Sequence, residues 1–300
     1  MSLLDGILLV DKPAGITSAG VVREVKRRLR VAKIGHLGTL DPFATGLLPL
    51  ALGEGTKVVS FLSQGEKSYV GVIALGRSTN TLDSTGEVVA QAAVPTMAAG
   101  MLEEVARRFR GDIEQVPPMF SALKRDGIPL YELARKGVDV DREPRQVRIE
   151  SLSLTAASAE EIAISVRCSK GTYVRSLARD IAAALGTVGH LASLRRTTFG
   201  AFELGSAIPL ESVAADGVLP ILPPRVALAG LRELEVDPRS SARIRRGQQA
   251  AAAGLPAPVS PCEVAKVVCA GDLVALVGEA QGRWRIQRVF VEAGRRESRN

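Results

Sequence analysis

Residues 35–50 constrain this chain more than any other segment, because a glycine-rich loop leads directly into an apolar run. The run at 47–52 is short and aliphatic, which is typical of a buried strand. Asp41 lies in the loop and is followed by Pro42, and nearby His36 is one of only two histidines. The pattern predicts a stiff loop that presents a single carboxylate at the mouth of a buried strand.

The residues alone leave three interpretations of Asp41 open. Aspartate before proline is common in turns, so the residue could serve the loop only. It could be a general base, although no second catalytic carboxylate lies nearby in the sequence. It could also be a nucleophile, since carboxylates form covalent intermediates with electrophilic carbons. The sequence pattern by itself does not separate the three.

Composition limits the class of protein. The 300 residues allow one large domain or two, and 46% apolar residues are sufficient for a packed core. The net charge of +7 suits a polyanionic partner such as a nucleic acid, but it suits an ordinary basic surface equally well. The three cysteines, Cys168, Cys262 and Cys269, lack C-x-x-C spacing, so we expect reduced thiols that mostly fill the core.

The sequence also argues against several other classes. Asp5 interrupts the first apolar residues and no basic segment precedes them, so we expect no secretory signal. No apolar stretch approaches the roughly 20 residues of a membrane helix. We therefore expect a cytoplasmic protein without a membrane partner. The sequence does not reveal the oligomeric state, for which a monomer is the default expectation. Phosphate-binding loops and zinc-ligand spacings are missing, so we expect neither a nucleotide cofactor nor a metal.

Hydrophobic periodicity predicts mixed strands and helices in the first two thirds of the chain. The predicted strands cover 6–10, 47–52, 68–75 with 88–89 as its hairpin partner, and 162–168. One predicted helix begins near Thr17 or Ser18, and another begins at Thr172 and reaches about residue 185. Three more are predicted at 55–62, 101–109 and 130–135.

Two of these helices carry unusual charges. Arg175 lies in the first turn of the helix after Thr172, where the helix dipole disfavours a cation. An arginine there has either a specific anionic partner or only solvent. One face of the helix after Thr17 is basic, and it is either a solvated surface or a stripe that faces phosphates. Its cations are Arg23, Lys26, Arg27, Arg28 and Arg30, followed by Lys33.

Two further segments differ in character from the rest. Residues 117 to about 144 are polar, basic and irregular, as in an insertion that closes over a ligand. Residues 220–224 are proline-rich and predict a linker to a small β-rich domain with strands at 231–236, 273–278 and 284–291 around a loop at 250–261. Its basic cluster fits a nucleic-acid surface and comprises Arg239, Arg243, Arg245 and Arg246.

Several motifs resemble, in the same order, those of the TruB-type tRNA pseudouridine synthases. The most specific is Gly35-His36-x-Gly-Thr-Leu-Asp41-Pro-x-Ala-Thr-Gly-x-Leu-Pro. The others are Gly6-Ile-Leu-Leu-Val-Asp-Lys12-Pro13-x-Gly-x-Thr-Ser, Lys67-Ser-Tyr69, Gln115-x-Pro-Pro-x-Phe-Ser-Ala-Leu-Lys124, Cys168-Ser-Lys-Gly-Thr-Tyr-Val-Arg175-Ser-Leu and Leu194-Arg195-Arg196-Thr197. Asn80 departs from the family pattern, which has aspartate there, whereas Asp83 is retained.

The resemblance covers about residues 5–210 and implies an α+β fold. It implies a catalytic domain at 1–224 with a mixed, mainly antiparallel central sheet flanked by helices, and an RNA-contacting insertion at 109–144. More weakly, residues 225–294 resemble an RNA-binding PUA domain, and 295–300 would be a tail. The implied activity converts the uridine at position 55 (tRNA numbering), in the T stem-loop of tRNA, to pseudouridine without a cofactor.

The resemblance also implies a role for each matched residue. Asp41 would be the nucleophile, attacking C6 of the base or C1′ of the ribose, with or without a glycal intermediate. Arg175 would pair with Asp41 and keep it ionised, and Tyr69 would stack on the base and assist proton removal from C5. The implied substrate-binding residues are His36, Lys12, Pro13, Leu194, Lys124 and Thr172. Among them His36 would hold the flipped nucleotide, Leu194 would close the apolar side of the pocket, and Lys12 and Pro13 would support the site.

Two other functions stay open at this point. One is a guide-RNA-dependent synthase of the dyskerin type, which shares the aspartate motif but lacks an insertion such as 109–144. The other is an RNA-binding or RNA-folding protein that uses the same surfaces without essential catalysis.

Overall fold

The computed structural model describes residues 4–121, 123–125, 127–138, 140–215 and 217–291. The helices of eight or more residues are α1 (Ser18–Leu29), α3 (Met101–Arg108), α5 (Val174–Ala184) and α7 (Pro238–Arg245), and the shorter ones are α2 (Val59–Leu62), α4 (Leu130–Arg135) and α6 (Pro224–Ala227). Short 3-10 helices cover Gly53–Val58, Leu204–Ser206, Leu210–Ser212 and Gln249–Gly254.

Most of the strands belong to one large sheet. Its strands are β1 (Gly6–Lys12), β2 (Ile34–His36), β3 (Thr45–Leu52), β4 (Lys67–Leu75), β7 (Gly111–Gln115), β10 (Arg145–Ala156), β11 (Glu161–Cys168), β12 (Gly189–Phe199), β13 (Phe202–Glu203) and β14 (Ile208–Pro209). Two small sheets pair β5 (Arg77–Thr79) with β6 (Val88–Gln91) and β8 (Lys124–Arg125) with β9 (Ile128–Pro129). A four-stranded sheet contains β15 (Arg232–Glu235), β16 (Val264–Cys269), β17 (Asp272–Ala280) and β18 (Arg283–Val289).

The large sheet is mixed and mainly antiparallel, as expected. Its strand order is β14-β1-β3-β12-β4-β11-β10-β7, with β2 beside β3 and β13 beside β12. Among the described residues of this sheet, only the β1–β14 and β3–β12 pairs are parallel. The centre of this order brings β3, β12 and β4 side by side, with Tyr69 on β4, Leu194 on β12 and the Asp41 loop leading into β3.

Both faces of β1 are buried, which explains its unbroken aliphatic sequence. Leu8 and Val10 pack with helices α1, α3 and α5 in one core cluster. Ile7 and Leu9 point to the opposite face, because side chains alternate along a strand, and they join a second cluster. That second cluster also contains Leu276 and Phe290 from the C-terminal region.

The helix starts show both a correct and an incorrect prediction. Thr17 caps α1, with its hydroxyl accepting a hydrogen bond from Gly20 N at 2.9 Å. Thr172 does not cap α5, whose N-cap is Tyr173 and has no side-chain capping bond of its own. Instead, Gln115 Oε1 accepts a hydrogen bond from Tyr173 N at 2.7 Å. A residue distant in sequence thus binds the backbone N–H of the N-cap residue, a contact that local reasoning could not foresee.

The predicted hairpin partner of 68–75 was wrong. Residues 88–89 lie in β6, which pairs with β5 rather than with β4. Gly76 separates β4 from β5 with φ at +84°, a left-handed conformation that glycine adopts readily, and the chain leaves the large sheet there. Likewise, residues 111–115, at the start of the expected insertion, form the edge strand β7.

The C-terminal region confirms a small β-rich unit but adds a strand. The three predicted strands correspond to β15, β17 and β18, whereas β16 was missed. Lys266, buried in β16 and 3.3 Å from Glu233, interrupts the apolar pattern that would have revealed this strand. Residues 295–300, expected to be a tail, lie outside the described residues.

Two smaller expectations need correction. Leu222, in the expected linker, exchanges backbone hydrogen bonds of 2.8 and 2.9 Å with Ile7, so this segment is fixed to β1. Cys168 alone is buried, whereas Cys262 is exposed and Cys269 is partly exposed, so the thiols do not mostly fill the core. None of the helices in the described part of the chain is long and apolar enough to cross a membrane.

Candidate active site

The loop that carries Asp41 is held by buried side chains below it. The Ser18 hydroxyl donates to Leu40 O at 2.9 Å and accepts from Leu40 N at 2.8 Å. Pro42 O accepts from Gly15 N at 2.8 Å and from Lys12 Nζ at 3.2 Å. These bonds satisfy the backbone groups on both sides of Asp41, so the loop has a defined conformation before any ligand binds.

Lys12 reaches the loop from beneath and is fully buried. Its ammonium group donates to Pro13 O, Ile16 O and Pro42 O at 2.9, 2.8 and 3.2 Å, which uses all three of its N–H donors. Burial lowers the pKa of Lys12 from 10.5 to about 8. The side chain therefore braces the loop and does not reach the cavity.

Arg175 contacts both carboxylate oxygens of Asp41. Its Nε lies 2.9 Å from Oδ2 and its Nη2 lies 3.1 Å from Oδ1. The remaining N–H groups point to Thr81 O and Phe120 O, both at 2.8 Å, and to Asp83. All five donors of the guanidinium thus face an oxygen, which accounts for an arginine in the first turn of α5.

Asp83 is a second carboxylate in this site, and sequence reasoning gave it no role. It is buried, and its Oδ2 lies 3.5 Å from Arg175 Nη1. Its Oδ1 accepts from Thr81 Oγ1 at 2.8 Å and from Thr85 N and Oγ1 at 3.0 and 2.6 Å. The available signal was that Asp83 is retained from the family pattern, two residues after Thr81 and four after Thr79. Asn80, which departs from the family pattern, lies on the surface, and its side-chain oxygen accepts a hydrogen bond from Glu87 N.

A cavity of about 200 Å³ opens beside the Arg175–Asp41 pair. It is smaller than the roughly 300–1,000 Å³ of drug-sized ligand pockets and is closer in size to a single base. Its lining is Thr39, Leu40, Asp41, Tyr69, Ser121, Thr172, Tyr173, Val174, Arg175 and Leu194. The cavity therefore combines one carboxylate and one cation with an aromatic ring and aliphatic walls.

Burial shifts the pKa values of the groups in and around the cavity. It raises the pKa of the Asp41 carboxyl, and the Arg175 guanidinium opposes that rise, whereas Asp83 adds to it. Burial also raises the pKa of Tyr69, which Arg196 opposes. His36 has its pKa lowered by burial, so its imidazole is neutral at neutral pH. The free site thus contains a carboxyl held beside a fixed cation and a neutral phenol.

Comparison with known proteins supplies the class of this site. Residues 26–174 match the sequence model described as TruB family pseudouridylate synthase, N-terminal domain, and residues 175–218 match tRNA pseudouridylate synthase B C-terminal domain. The tRNA pseudouridine synthase B of Azoarcus sp. is 47% identical over 82% of this chain and 83% of that protein. The chain belongs to the TruB family of pseudouridylate synthases.

The likeness to TruB-family proteins extends along almost the whole chain. The tRNA pseudouridine synthase B of Geobacter sulfurreducens is 40% identical over 96% of this chain and all of that protein. A chain in the crystal structure of a Cbf5-Nop10-Gar1 complex has a TM-score of 0.73 at 26% identity, over 97% of this chain and 86% of that chain. The similarity therefore continues past residue 218, where the family models end.

The structure brings only part of the implied TruB site together. Five of the implied residues line the cavity, namely Asp41, Tyr69, Thr172, Arg175 and Leu194. Pro13 is exposed outside it. His36, on β2, is half-buried outside the lining, and its Nδ1 has no hydrogen-bond partner in the described part of the chain. The side chain of Lys124 lies outside what the structure describes, although its backbone is in β8.

One implied substrate-binding residue does not reach the cavity in the structure. Lys12 was placed in the substrate-binding set, but its side chain is fully buried and all its donors are satisfied by carbonyl oxygens. Only the supporting role agrees with this position. Two cations on the basic face of α1 already have partners within the protein. Arg27 and Arg28 pair with Glu24. Arg28 also donates to the backbone carbonyls of Leu210, Glu211 and Val213.

Proposed function

We propose that this chain converts uridine in tRNA to pseudouridine, at position 55 in the T loop, with Asp41 as the nucleophile. The observation that carries the proposal is the carboxylate of Asp41, contacted at both oxygens by buried Arg175 at the edge of a base-sized cavity. Membership of the TruB family and relatives named tRNA pseudouridine synthase B support the same substrate class.

The reaction needs no co-reactant, because its atoms balance within the nucleotide. The bond from C1′ to N1 breaks and a bond from C1′ to C5 forms. N1 gains a proton, and C5 loses its proton to solvent. Asp41 would form a transient bond to C6 or C1′ and would be released unchanged, with or without a glycal intermediate.

The substrate must bring a base out of its stack, at a cost of a few kcal/mol. Tyr69 would offset part of this cost, since stacking on an aromatic ring contributes roughly 1–3 kcal/mol per base. The raised pKa of Tyr69 keeps its phenol neutral, which suits stacking on a base. To remove the proton from C5, the same phenol would first have to lose its own proton. Leu194 would close the apolar wall, and His36 would meet the extruded nucleotide from outside the cavity.

A basic surface would hold the rest of the RNA. We propose that residues 1–224 perform the chemistry, that the segment after β7 within 109–144 contacts the stem-loop, and that 225–294 form a PUA-like RNA-binding unit. Arg239, Arg243 and Arg246 on or just after α7 have no acidic ion-pair partner among the described residues. Phosphate contacts suit such cations. We further propose a cytoplasmic monomer.

Tritium release tests the function directly. The pure protein is incubated with unmodified tRNA that carries tritium at uridine C5, because isomerisation must release this hydrogen to water. We expect many turnovers for the natural chain and for the control Asp272→Asn, an exposed carboxylate in the small sheet. Asp41→Asn should bind tRNA and release none.

The same assay separates the alternatives. Absence of release from tRNA with an intact T loop would refute the proposal, and release that needs a guide RNA or protein partners would point to the guided class. A T loop in which the target uridine is replaced by cytidine should abolish release, which assigns the position. If Asp41→Ala kept all cellular function while losing isomerisation, RNA binding would be the important role.

A further inference from the structure

Arg196 lies behind the cavity lining and has no role in the function proposed above. Its backbone lies in β12 between β3 and β4, with Gly46 and Tyr69 as its partners across the two neighbouring strands. Its side chain is fully buried. Within the part of the chain that the structure describes, it contacts no carboxylate.

The guanidinium of Arg196 instead binds the loop that leads to Asp41. Nη2 donates to Gly38 O at 3.0 Å and Nη1 to Thr39 O at 3.3 Å, while Nε donates to Leu47 O at 2.7 Å. Gly38 and Thr39 precede Asp41 in the chain and Leu47 follows it. One planar guanidinium is therefore hydrogen-bonded to the backbone on both sides of Asp41. A planar fork with fixed donor directions can do this, whereas a lysine ammonium cannot.

The same side chain also reaches Tyr69. Arg196 and Tyr69 are partners across β12 and β4, and the guanidinium lowers the pKa of that phenol against the effect of burial. The Phe199 ring lies below the guanidinium, 5.2 Å from Cζ. Arg196 therefore links the backbone on both sides of Asp41, through side-chain hydrogen bonds, to the strand that carries Tyr69.

Two glycines show how closely this layer is packed. A Cβ atom on Gly38 would lie 2.6 Å from the Phe199 ring, and one on Gly46 would lie 2.4 Å from Arg196 O. Contacts this short are not tolerated, so the loop approaches Arg196 and Phe199 only because both positions lack a side chain. The Asp41 motif thus contains two glycines whose fit depends on β12.

We propose that Arg196 is a positioning residue that fixes the separation between Asp41 and Tyr69, so that an inserted base meets both in reactive geometry. The proposal rests on the proposed function for its chemistry, but its geometric content concerns the free protein. Displacing a reacting group by about 1 Å can lower a rate about 100-fold without loss of binding. Arg196 would act in this way through its two neighbours and would not touch the substrate.

The test compares Arg196→Lys with Arg195→Lys. Arg195 is the next residue on β12, and its guanidinium binds Asp11 Oδ2 at 2.6 Å and Thr45 Oγ1 at 3.3 Å rather than the backbone of Gly38 and Thr39, so it is a matched control. Gly38→Ala provides a second perturbation, since its methyl group would clash with the Phe199 ring that packs against Arg196. Folding is checked by thermal unfolding, tRNA affinity by equilibrium binding, and single-turnover tritium release is measured at saturating tRNA.

A spectroscopic readout reports the geometry without RNA. The chain has three tyrosines, so ¹³C-tyrosine NMR can follow each ring carbon bound to oxygen, with Tyr69→Phe assigning the signal. In Arg196→Lys we expect the pKa of Tyr69 to rise further. In Arg195→Lys it should stay at its wild-type value.

We expect folded Arg196→Lys and Gly38→Ala to bind tRNA as tightly as the wild type and to react about 100-fold more slowly. Wild-type rates, an equal loss of binding and rate, or an unmoved Tyr69 signal would overturn the proposal. If Arg196→Lys fails to fold, the rate and affinity of Gly38→Ala decide it. If the wild type itself releases no tritium, the proposed function fails, while the Tyr69 titration still decides whether Arg196 positions this ring.

Discussion

Arg175 and Asp41 form an ion pair with one buried and one open member. The arginine side chain is 4% exposed, whereas the aspartate side chain is 34% exposed. Two nitrogen–oxygen contacts of 2.9 and 3.1 Å fix the direction of the carboxylate while one side of it stays accessible from the cavity. Such a pair can aim an anion at a bound base without covering it.

Replacement of Arg175 by lysine tests this aim. Arg175→Lys keeps the charge but loses the side-by-side contact with both oxygens, because an ammonium is a point charge. We expect single-turnover tritium release to fall about 100-fold, with tRNA affinity unchanged. Arg179→Lys, one turn later on α5 and paired with Asp180, is the matched control and should react normally. Equal rates for the two variants would contradict the role of Arg175.

The pH dependence of the reaction should report Asp41. The reaction needs the carboxylate, so the rate falls as the pH drops through its pKa, which burial raises above the ordinary 3.8. Asp83 contributes to that rise. Asp83→Asn should therefore move the acid limb of the single-turnover rate to lower pH, and Asp180→Asn should leave it in place. An acid limb that moves upward in Asp83→Asn would disprove this coupling.

Lys12 should make stability depend on pH in an alkaline window. Its pKa is about 8 in the folded protein against 10.5 in the unfolded chain, so between these values only the unfolded chain binds the proton. The free energy of unfolding should therefore rise with pH across this window, by about 3 kcal/mol relative to Lys12→Met. Urea denaturation of both proteins at several pH values measures the difference. Parallel curves would show that Lys12 does not titrate there.

Phe290 should bind the small sheet to the rest of the protein. It is 3% exposed and packs in the second core cluster, while its neighbour Val291 is 50% exposed. Phe290→Ala should lower the free energy of unfolding by about 3–5 kcal/mol, whereas Val291→Ala should change it by less than about 0.5 kcal/mol. For the wild type we expect one calorimetric transition. Two separate transitions would mean that the C-terminal unit unfolds alone.

Local patterns predicted the elements around the site well. The start of α1 at Thr17 and the buried strand after Asp41 both follow from short-range rules of capping and apolar runs. The dipole argument singled out Arg175 as a residue with either an anionic partner or only solvent, and the structure shows the partner. Naming that partner needed the family resemblance, because Asp41 lies 134 residues earlier in the chain.

Residues that act through the sheet were not predictable in this way. Arg196 and Asp83 are buried charges, and periodicity assigns a charged residue to the surface. Their environment depends on which strands become neighbours, such as β12 between β3 and β4. The predicted pairing of residues 88–89 with 68–75 was wrong for the same reason. Gly76 redirects the chain, and alternation within a strand contains no information about which strand pairs with it.

The backbone pairing of Leu222 with Ile7 has a practical consequence for anyone who shortens this protein. A chain that stopped at residue 220 would leave the amide and carbonyl of Ile7 without their partners and would strip the cover from the outer face of β1. An uncovered apolar strand beside an open edge invites other copies to add to it. Truncation at that point should yield aggregates rather than a smaller working enzyme.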